Sequence, residues 1–313
     1  MTQHHPTRPT HHDHPTRPTR TTARRTLRRE TTATLGLLAD TEDFTAMRRY
    51  ATFPFTSHTD YLHHVENHLK TLRATGGHTS VTLFDPEDYA DHCAATGRDP
   101  DHPTSRAHYT ADQATTGPHV PYTGQPLATL LATLVEVTVR HTTWEYATLL
   151  LAEAGECPDC GRHIGHAAFA RASLLLLRLL DAAGPGTHHL VCSVPADEDQ
   201  LVAALRTDPH STGPDLLDTP HGGEFVTVLA AGIALGGPGG VVLRTTTPGH
   251  PDRLHGWRLA EGQLHPLTEA EVFDAYCTDA HTGDPIAPEP HVHHLAGLPL
   301  DPLPDTDPRH HPH

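Results

Sequence analysis

The spacing of apolar residues predicts helices and strands between about residue 52 and residue 280. Over residues 60–74 the apolar positions recur every three or four residues, which is typical of a helix with one buried face, and Gly76-Gly77 ends it. Asp85-Pro86 predicts the start of a further helix, because Asp caps a first turn and Pro fits its first position. Gly97 is expected to close that helix.

Two long apolar stretches predict the centre of the fold. Residues 126–154 are apolar on most sides, and residues 165–183 continue the pattern, as expected for buried helices. The short segment Cys157-Pro158-Asp159-Cys160-Gly161 separates them. The sequence therefore predicts a helical hairpin whose two helices meet at a tight turn.

The second half of the chain adds strand-like runs at 189–194, 241–247 and 254–259. Residues 196–207 begin with acidic residues and predict a helix, whereas residues 98–125 are rich in His, Thr, Pro and Asp and predict a long loop. Helices alternate with strands early and strands pair as hairpins late. This order favours an α+β fold, with a mixed sheet packed against a central two-helix hairpin.

Composition sets the expected domain boundaries. The chain has 313 residues, of which 29 are Pro and 24 are Gly. Residues 1–46 are basic and His-rich and are predicted to be a disordered tail, and residues 281–313 are predicted to be a flexible Pro/His-rich tail. A single globular domain is expected over residues 47–280.

The charge of the chain bears on its partners. The net charge is −16 at pH 7. A nucleic-acid-binding protein needs basic residues that neutralise phosphates, so nucleic acid is not an expected partner. Residues 1–30, in contrast, are basic and contain seven Arg. A contact between this basic arm and nucleic acid is therefore an alternative. No apolar run approaches the ~20 residues of a membrane span, so no membrane partner is expected.

The cysteines indicate a compartment and a metal. Five cysteines are an odd number for a disulfide framework, and the first residues have no apolar secretory region, so we expect a cytoplasmic protein. Cys157 and Cys160 have the spacing with which a zinc knuckle presents two thiolates. The same pair also fits an ordinary turn or a redox dithiol.

A closed structural zinc site requires four ligands. His163 and His166 continue the spacing of the two cysteines, but four ligands within ten residues are crowded, so Cys192, His188 or His189 is an alternative. The expected cofactor is therefore a structural zinc ion, with ligands from Cys157, Cys160, His163, His166 and Cys192.

A second histidine pattern supports an alternative function. Asp60, His64 and His68 are four residues apart on one predicted helix face, and such ligands suit a catalytic zinc or iron ion. A solvated face in a chain with 31 His explains the same pattern. The leading hypothesis is a binding or regulatory protein that is stabilised by the zinc knuckle, with an unknown protein or small molecule as partner. The alternative is a metal-dependent enzyme, either a hydrolase or deaminase-like, which uses this helix face.

Overall fold

The computed structural model describes residues 32–158, 160–197, 199–209, 213–279 and 282–301. The chain divides into two compact units, residues 1–138 and 139–313. Both units combine helices with a sheet, and each sheet contains parallel and antiparallel pairs. The predicted α+β class with mixed sheets is thus confirmed. The predicted boundaries of one domain over 47–280 differ from this division into two units.

The first unit is built on a three-stranded sheet in the order β1-β2-β3. Strands β1 and β2 are parallel, and β3 is antiparallel to β2. The elements are β1 (Thr32–Leu37), α1 (Thr41–Met47), α2 (His58–Ala74), β2 (His78–Leu83), α3 (Pro86–Thr96), α4 (Pro103–Thr116), β3 (Val120–Pro121) and α5 (Leu127–Glu153), which crosses the boundary between the units.

Local signals set the helix boundaries of the first unit. The Asp85 side chain accepts hydrogen bonds from the backbone N–H groups of Glu87 and Asp88, and Gly97 ends α3 with φ of 65°. Both ends of α3 are therefore confirmed. Leu37, Leu69 and other apolar side chains from the helices and from β1 and β2 form one core.

Three predicted irregular regions are corrected by the structure. The sequence predicts a disordered tail that includes residues 32–46, yet these contain β1 and most of α1, because β1 pairs in parallel with β2. The sequence predicts a loop over residues 98–125, yet they contain α4, which starts at Pro103 with His102 as its N-cap. In the predicted C-terminal tail, residues 292–294 form a strand. The rest of the two predicted tails, residues 1–31, 281 and 302–313, lies outside the described residues.

The second unit is built on a six-stranded sheet in the order β5-β4-β6-β7-β8, with β9 parallel to β7. Residues 196–207, predicted as a helix, instead contain the last residue of β4 and the whole of β5, which pairs with β4 over its full length. The elements after α5 are α6 (Ile164–Ala183), β4 (Thr187–Ala196), β5 (Asp199–Thr207), α7 (Pro220–Leu235), β6 (Gly239–Thr246), β7 (Asp252–Ala260), β8 (Gln263–Pro266), α8 (Glu269–Cys277) and β9 (Val292–His294).

Helix α7 lies at the centre of the second unit. Every residue from Phe225 to Ala234 is buried, and the helix contacts α6 and strands β4, β5 and β7. A helix that is apolar on all sides must be covered on all sides. The prediction of a central hairpin formed by the two preceding helices is not confirmed, since α7 occupies the central place.

One buried histidine is fully hydrogen-bonded in the core of the second unit. His188 on β4 has no exposed surface, and its Nε2 lies 3.0 Å from the carbonyl oxygen of Gly184. Since a carbonyl can only accept, Nε2 carries the proton, and the neutral ring then accepts from Thr245 Oγ1 through Nδ1 at 3.0 Å. Burial lowers the pKa of His188.

We expect Gly232→Ala to destabilise the second unit. A Cβ atom there would lie 2.7 Å from Val194 Cγ2 and 2.8 Å from Leu259 Cδ2. An Ala normally stabilises a helix by about 0.5–1 kcal/mol relative to Gly, but overpacking costs about 1–3 kcal/mol, so a net loss of about 1–2 kcal/mol should appear in urea unfolding. Gly223→Ala in the same helix is the control. Its Cβ would meet only an oxygen at 3.8 Å, so it should not lose stability.

We also expect His188 to make the second unit acid-sensitive. Its folded pKa lies below the unfolded value, so the unfolded chain binds more protons and stability falls as pH drops below about 6.5. His188→Leu should cost about 1–3 kcal/mol at neutral pH, because the Gly184 carbonyl loses its donor. The variant should nevertheless lose less stability than the parent between neutral pH and about pH 5. Equal losses in urea titrations of both proteins would contradict this assignment.

Candidate functional site

The predicted knuckle lies in the turn between α5 and α6. Glu156 and His163 form an isolated antiparallel bridge, and the backbone N–H of Cys157 donates to the carbonyl oxygen of Arg162 at 2.8 Å. Cys157 is buried and Cys160 is exposed. The rings of His163 and His166 contact each other with centroids 4.6 Å apart. Asp159, in the middle of this turn, is outside the described residues.

The prediction of a structural zinc site is wrong. Within the described ranges, no three His, Cys, Asp or Glu side chains are arranged so that they could hold a metal ion. Cys192, the proposed ligand from the sheet, lies in the hydrophobic core, and burial raises the pKa of its thiol to about 12.

The histidine face of α2 is also not a metal site. Asp60, His64 and His68 are all exposed, and the same absence of a metal-binding group applies to this part of the described chain. The His64 ring packs edge-on against Phe55 with centroids 5.5 Å apart. These residues therefore form a solvent-exposed helix face, and the hypothesis of a metal-dependent enzyme loses its metal ligands.

Two further expectations concern partners. The basic arm at residues 1–30 lies outside the described residues, so its contact with nucleic acid stays a prediction. Among the helices that the structure describes, none is long and apolar enough to cross a membrane.

The structure shows instead a cavity of about 360 Å³ in the second unit. We call the sheet face against α7 the inner face and the opposite one the outer face. The cavity lies on the outer face, between the strands, the end of α8 and the segment from 287 to 294. Its lining residues are His189, Val191, Val242, Arg244, Leu254, Tyr276, Cys277, Ala287, Glu289, Val292 and His294.

Strand register brings the floor of the cavity together. His189 on β4 pairs with Arg244 on β6, Arg244 pairs with Leu254 on β7, and Leu254 pairs with His294 on β9. These four residues thus form one row across four strands, with side chains on the same face. The row joins positions that are more than a hundred residues apart in the sequence, so single-segment patterns do not reveal it.

Arg244 is the best-anchored charge in the cavity. Its Nε donates to Asp252 Oδ2 at 2.6 Å, and its two terminal nitrogens donate to the two oxygens of Glu289 at 2.9 Å each. The hydrogen bonds that Arg244 donates to Glu289 and then to Asp252 raise the pKa of Arg244. Hydrogen bonds from Arg244 lower the pKa of both carboxyl groups. The positive charge of the guanidinium is therefore compensated by carboxylates of the protein. Its two parallel hydrogen bonds to Glu289 have the bidentate geometry that is typical of Arg–carboxylate pairs.

The wall of the cavity is a segment that is fixed to the sheet by its backbone. The N–H of Ile286 donates to the carbonyl of Cys277 at 2.7 Å, and the N–H of Asp252 donates to the carbonyl of His291 at 2.9 Å. Together with the Glu289 side chain, these bonds hold the segment against α8 and β7. Tyr276 of α8 completes the wall, and burial raises the pKa of its hydroxyl.

A second group of titratable residues gathers in the first unit. Because β1 and β2 are parallel, their carboxyl ends lie at one edge of the sheet, and acidic residues follow each of them. Burial, and then the charges of Asp40 and Asp85, raise the pKa of Asp43 to about 6. The cluster comprises Asp40, Glu42, Asp43, Asp85, Glu87 and Asp88.

Helix capping accounts for the centre of this acidic cluster. Asp40 accepts hydrogen bonds from the N–H groups of Glu42 and Asp43, and Asp85 caps α3 in the same way. As noted above for the described residues, no metal-binding arrangement is present. We therefore assign the cluster a role in the local structure of the first unit.

Comparison with known families reaches part of the chain. A family model described as "Domain of unknown function (DUF8829)" matches residues 22–125, about a third of the chain. The chain is similar to that family over β1 to β3 of the first unit, and the cavity lies outside the matched residues. No curated protein and no solved structure matches the chain.

We expect Asp43→Asn to stabilise the first unit at about pH 7.5 by about 1–2 kcal/mol, which is less than the full pKa shift implies because water screens the partly exposed carboxylate. The folded pKa of about 6 exceeds the ordinary 3.8, so the charged form penalises folding above pH 6, and the penalty disappears as pH falls through 6 to below 3.8. The gain should fade over the same interval. Both Trp residues, Trp144 and Trp257, lie in the second unit, so amide hydrogen exchange in β1 and β2 is the suitable measurement.

The matched control for Asp43→Asn is Glu42→Gln, an exposed neighbour in the same first turn of α1. This variant should change the exchange of the same amides by less than about 0.5 kcal/mol. An equal gain in both variants would assign the effect to the overall charge of the chain and contradict the role of the half-buried Asp43 carboxylate.

Proposed function

We propose that the second unit binds a small, uncharged, partly apolar molecule in the cavity on the outer face of its sheet. The observation that carries this proposal is the pairing of charges within the cavity. Arg244 and Glu289, the charged residues that line it, already bind each other, and Asp252 takes the remaining Nε donor. Arg244 thus offers an anion no unpaired positive charge, and both carboxylates already accept hydrogen bonds from its guanidinium.

The remaining lining residues define the chemistry of the ligand. Most are apolar, and they would cover the ligand's apolar surface: Val191, Val242, Leu254, Ala287 and Val292. His189, His294 and the Tyr276 hydroxyl offer a few hydrogen-bonding groups. A cavity of about 360 Å³ lies at the lower end of the range for small-molecule sites, which are concave and mainly apolar with few polar groups. An aromatic ring with one neutral hydrogen-bonding group fits this description.

The partner and the compartment are parts of the same proposal. The partner in this proposal is a small molecule, since a concave, mainly apolar cavity of this size lies within the range of small-molecule sites. The cytoplasmic location is supported by the odd cysteine count, and it stays a proposal.

The test compares three probes of equal shape and different charge: benzyl alcohol, benzylamine and benzoate. Saturation-transfer NMR on the full chain should show saturable binding, with benzyl alcohol bound more tightly than either charged probe. Val242→Phe fills the cavity floor and should weaken benzyl alcohol binding by at least about tenfold. Tryptophan fluorescence in urea checks that the variant second unit remains folded.

The control variant is Ser193→Phe. Ser193 lies on the same outer face of β4, but it does not line the cavity, so this variant should bind benzyl alcohol like the parent protein. The proposal would be overturned by an absence of saturable binding, by tighter binding of a charged probe, or by binding that Val242→Phe leaves unchanged.

A further inference from the structure

The six-stranded sheet of the second unit has two unlike edges. At one edge, β8 has four residues and ends in Pro266, features that discourage pairing with another chain. At the other edge, β5 has nine residues, all nine of which pair in unbroken register with β4. In the part of the chain that the structure describes, no strand pairs with the other side of β5.

Strand β5 lacks most of the devices that normally protect an edge. Its sequence, DQLVAALRT, contains neither Pro nor Lys, and no bulge interrupts its register. Leu201, Ala203 and Leu205 point to the inner face and are buried beneath α7. The residues between them are exposed on the outer face, including Val202 at 45%. An edge of this length with exposed apolar side chains is a template for another strand.

The sequence of β5 is complementary to itself. If two copies pair in antiparallel fashion with Ala203 opposite Ala203 of the second copy, Leu201 faces Leu205 of the second copy on the inner face. On the outer face Val202 faces Ala204 of the second copy, and Gln200 faces its Arg206. At the ends, Asp199 faces Thr207. No pair brings two like charges together.

One detail of the structure favours the pairing of Gln200 with Arg206. The Gln200 side-chain nitrogen donates to Ser193 Oγ at 2.5 Å, so the amide oxygen stays available as an acceptor. A guanidinium from a second copy supplies such a donor. The guanidinium of Arg206 in one copy thus meets the amide oxygen of Gln200 in the other copy.

Shifting the pairing by one residue in either direction gives less compatible side-chain pairs. Centring the pair on Val202 would place Asp199 opposite Leu205, and centring it on Ala204 would place Thr207 opposite Leu201 and leave Asp199 and Gln200 without strand partners. The register centred on Ala203 uses all nine residues and keeps apolar residues opposite apolar ones.

We propose that two copies of this chain associate through β5 and join their sheets into one continuous sheet about a two-fold axis. The axis is perpendicular to the sheet, because inner-face leucines meet inner-face leucines. The outer faces of both copies then lie on the same side, and so do the two cavities. The occupant of the edge is a second copy of this chain because the side-chain order of β5 matches its own reverse.

The first measurement is the mass of the full chain by sedimentation equilibrium across the micromolar range, where a concentration-dependent dimer is expected. Val202→Lys together with Ala204→Lys places like charges opposite each other twice. This variant should raise the dimer dissociation constant by at least about tenfold, and the chain with Glu at both positions should behave in the same way. An equimolar mixture of the Lys and Glu chains should dimerise again, since each Lys then faces a Glu.

Gln263→Lys with His265→Lys, on the opposite edge strand β8, is the matched control and should leave the dissociation constant within about twofold. Circular dichroism checks that every variant is folded. A chain that stays monomeric throughout would overturn the proposal. A dimer that persists in the Lys variant, or a mixture that fails to reassociate, would equally overturn it, because a different surface or a different register would then be in use.

Discussion

The complete burial of α7 is the constraint on which the second unit depends. An all-apolar helix cannot face water, so α6 covers one side and the sheet covers the other. Gly232 removes a side chain where the helix approaches Val194 and Leu259 most closely. The inner face of the sheet is therefore mainly apolar, and His188 and Thr245, which are buried on that face, are hydrogen-bonded to each other. Polar residues with binding capacity are left to the outer face.

This constraint also explains why the zinc hypothesis failed. Side chains along β4 alternate between the two faces, so Cys192 points into the core with Leu190 and Val194, whereas His189 points outward. The cysteine spacing at 157 and 160 was a real pattern, but its proposed partner from the sheet faces α7. The ligands of one metal ion must lie close together and point to the same place in the fold. The spacing of residues in separate elements along the sequence determines neither condition.

The elements that could be predicted from the sequence are those whose signals are local. Asp85, Pro86 and Gly97 bound α3 as predicted, and the capping box of Thr268 and Glu271 starts α8. Strand β5 was mistaken for a helix because acidic residues precede a Leu-rich run. Its pairing with β4, a tertiary effect, overrides that local preference. The segment after residue 282 was missed because its anchors are distant partners, such as Trp257 Nε1, which donates to the carbonyl oxygen of Leu298.

The cavity could not be predicted from the sequence, because its lining residues come from distant segments of the chain. Its chemistry depends mainly on one side chain. Arg244 lies on β6, Asp252 on β7 and Glu289 in the C-terminal segment, so the three bonds of one guanidinium hold together the parts that enclose the cavity. A partly buried guanidinium is tolerated only with its charge compensated. The carboxylates that compensate it are also the groups that close the wall. The wall of the cavity and the pairing of its charges therefore have one cause, and under the proposed function an anion would have to compete with Glu289 and Asp252 for Arg244.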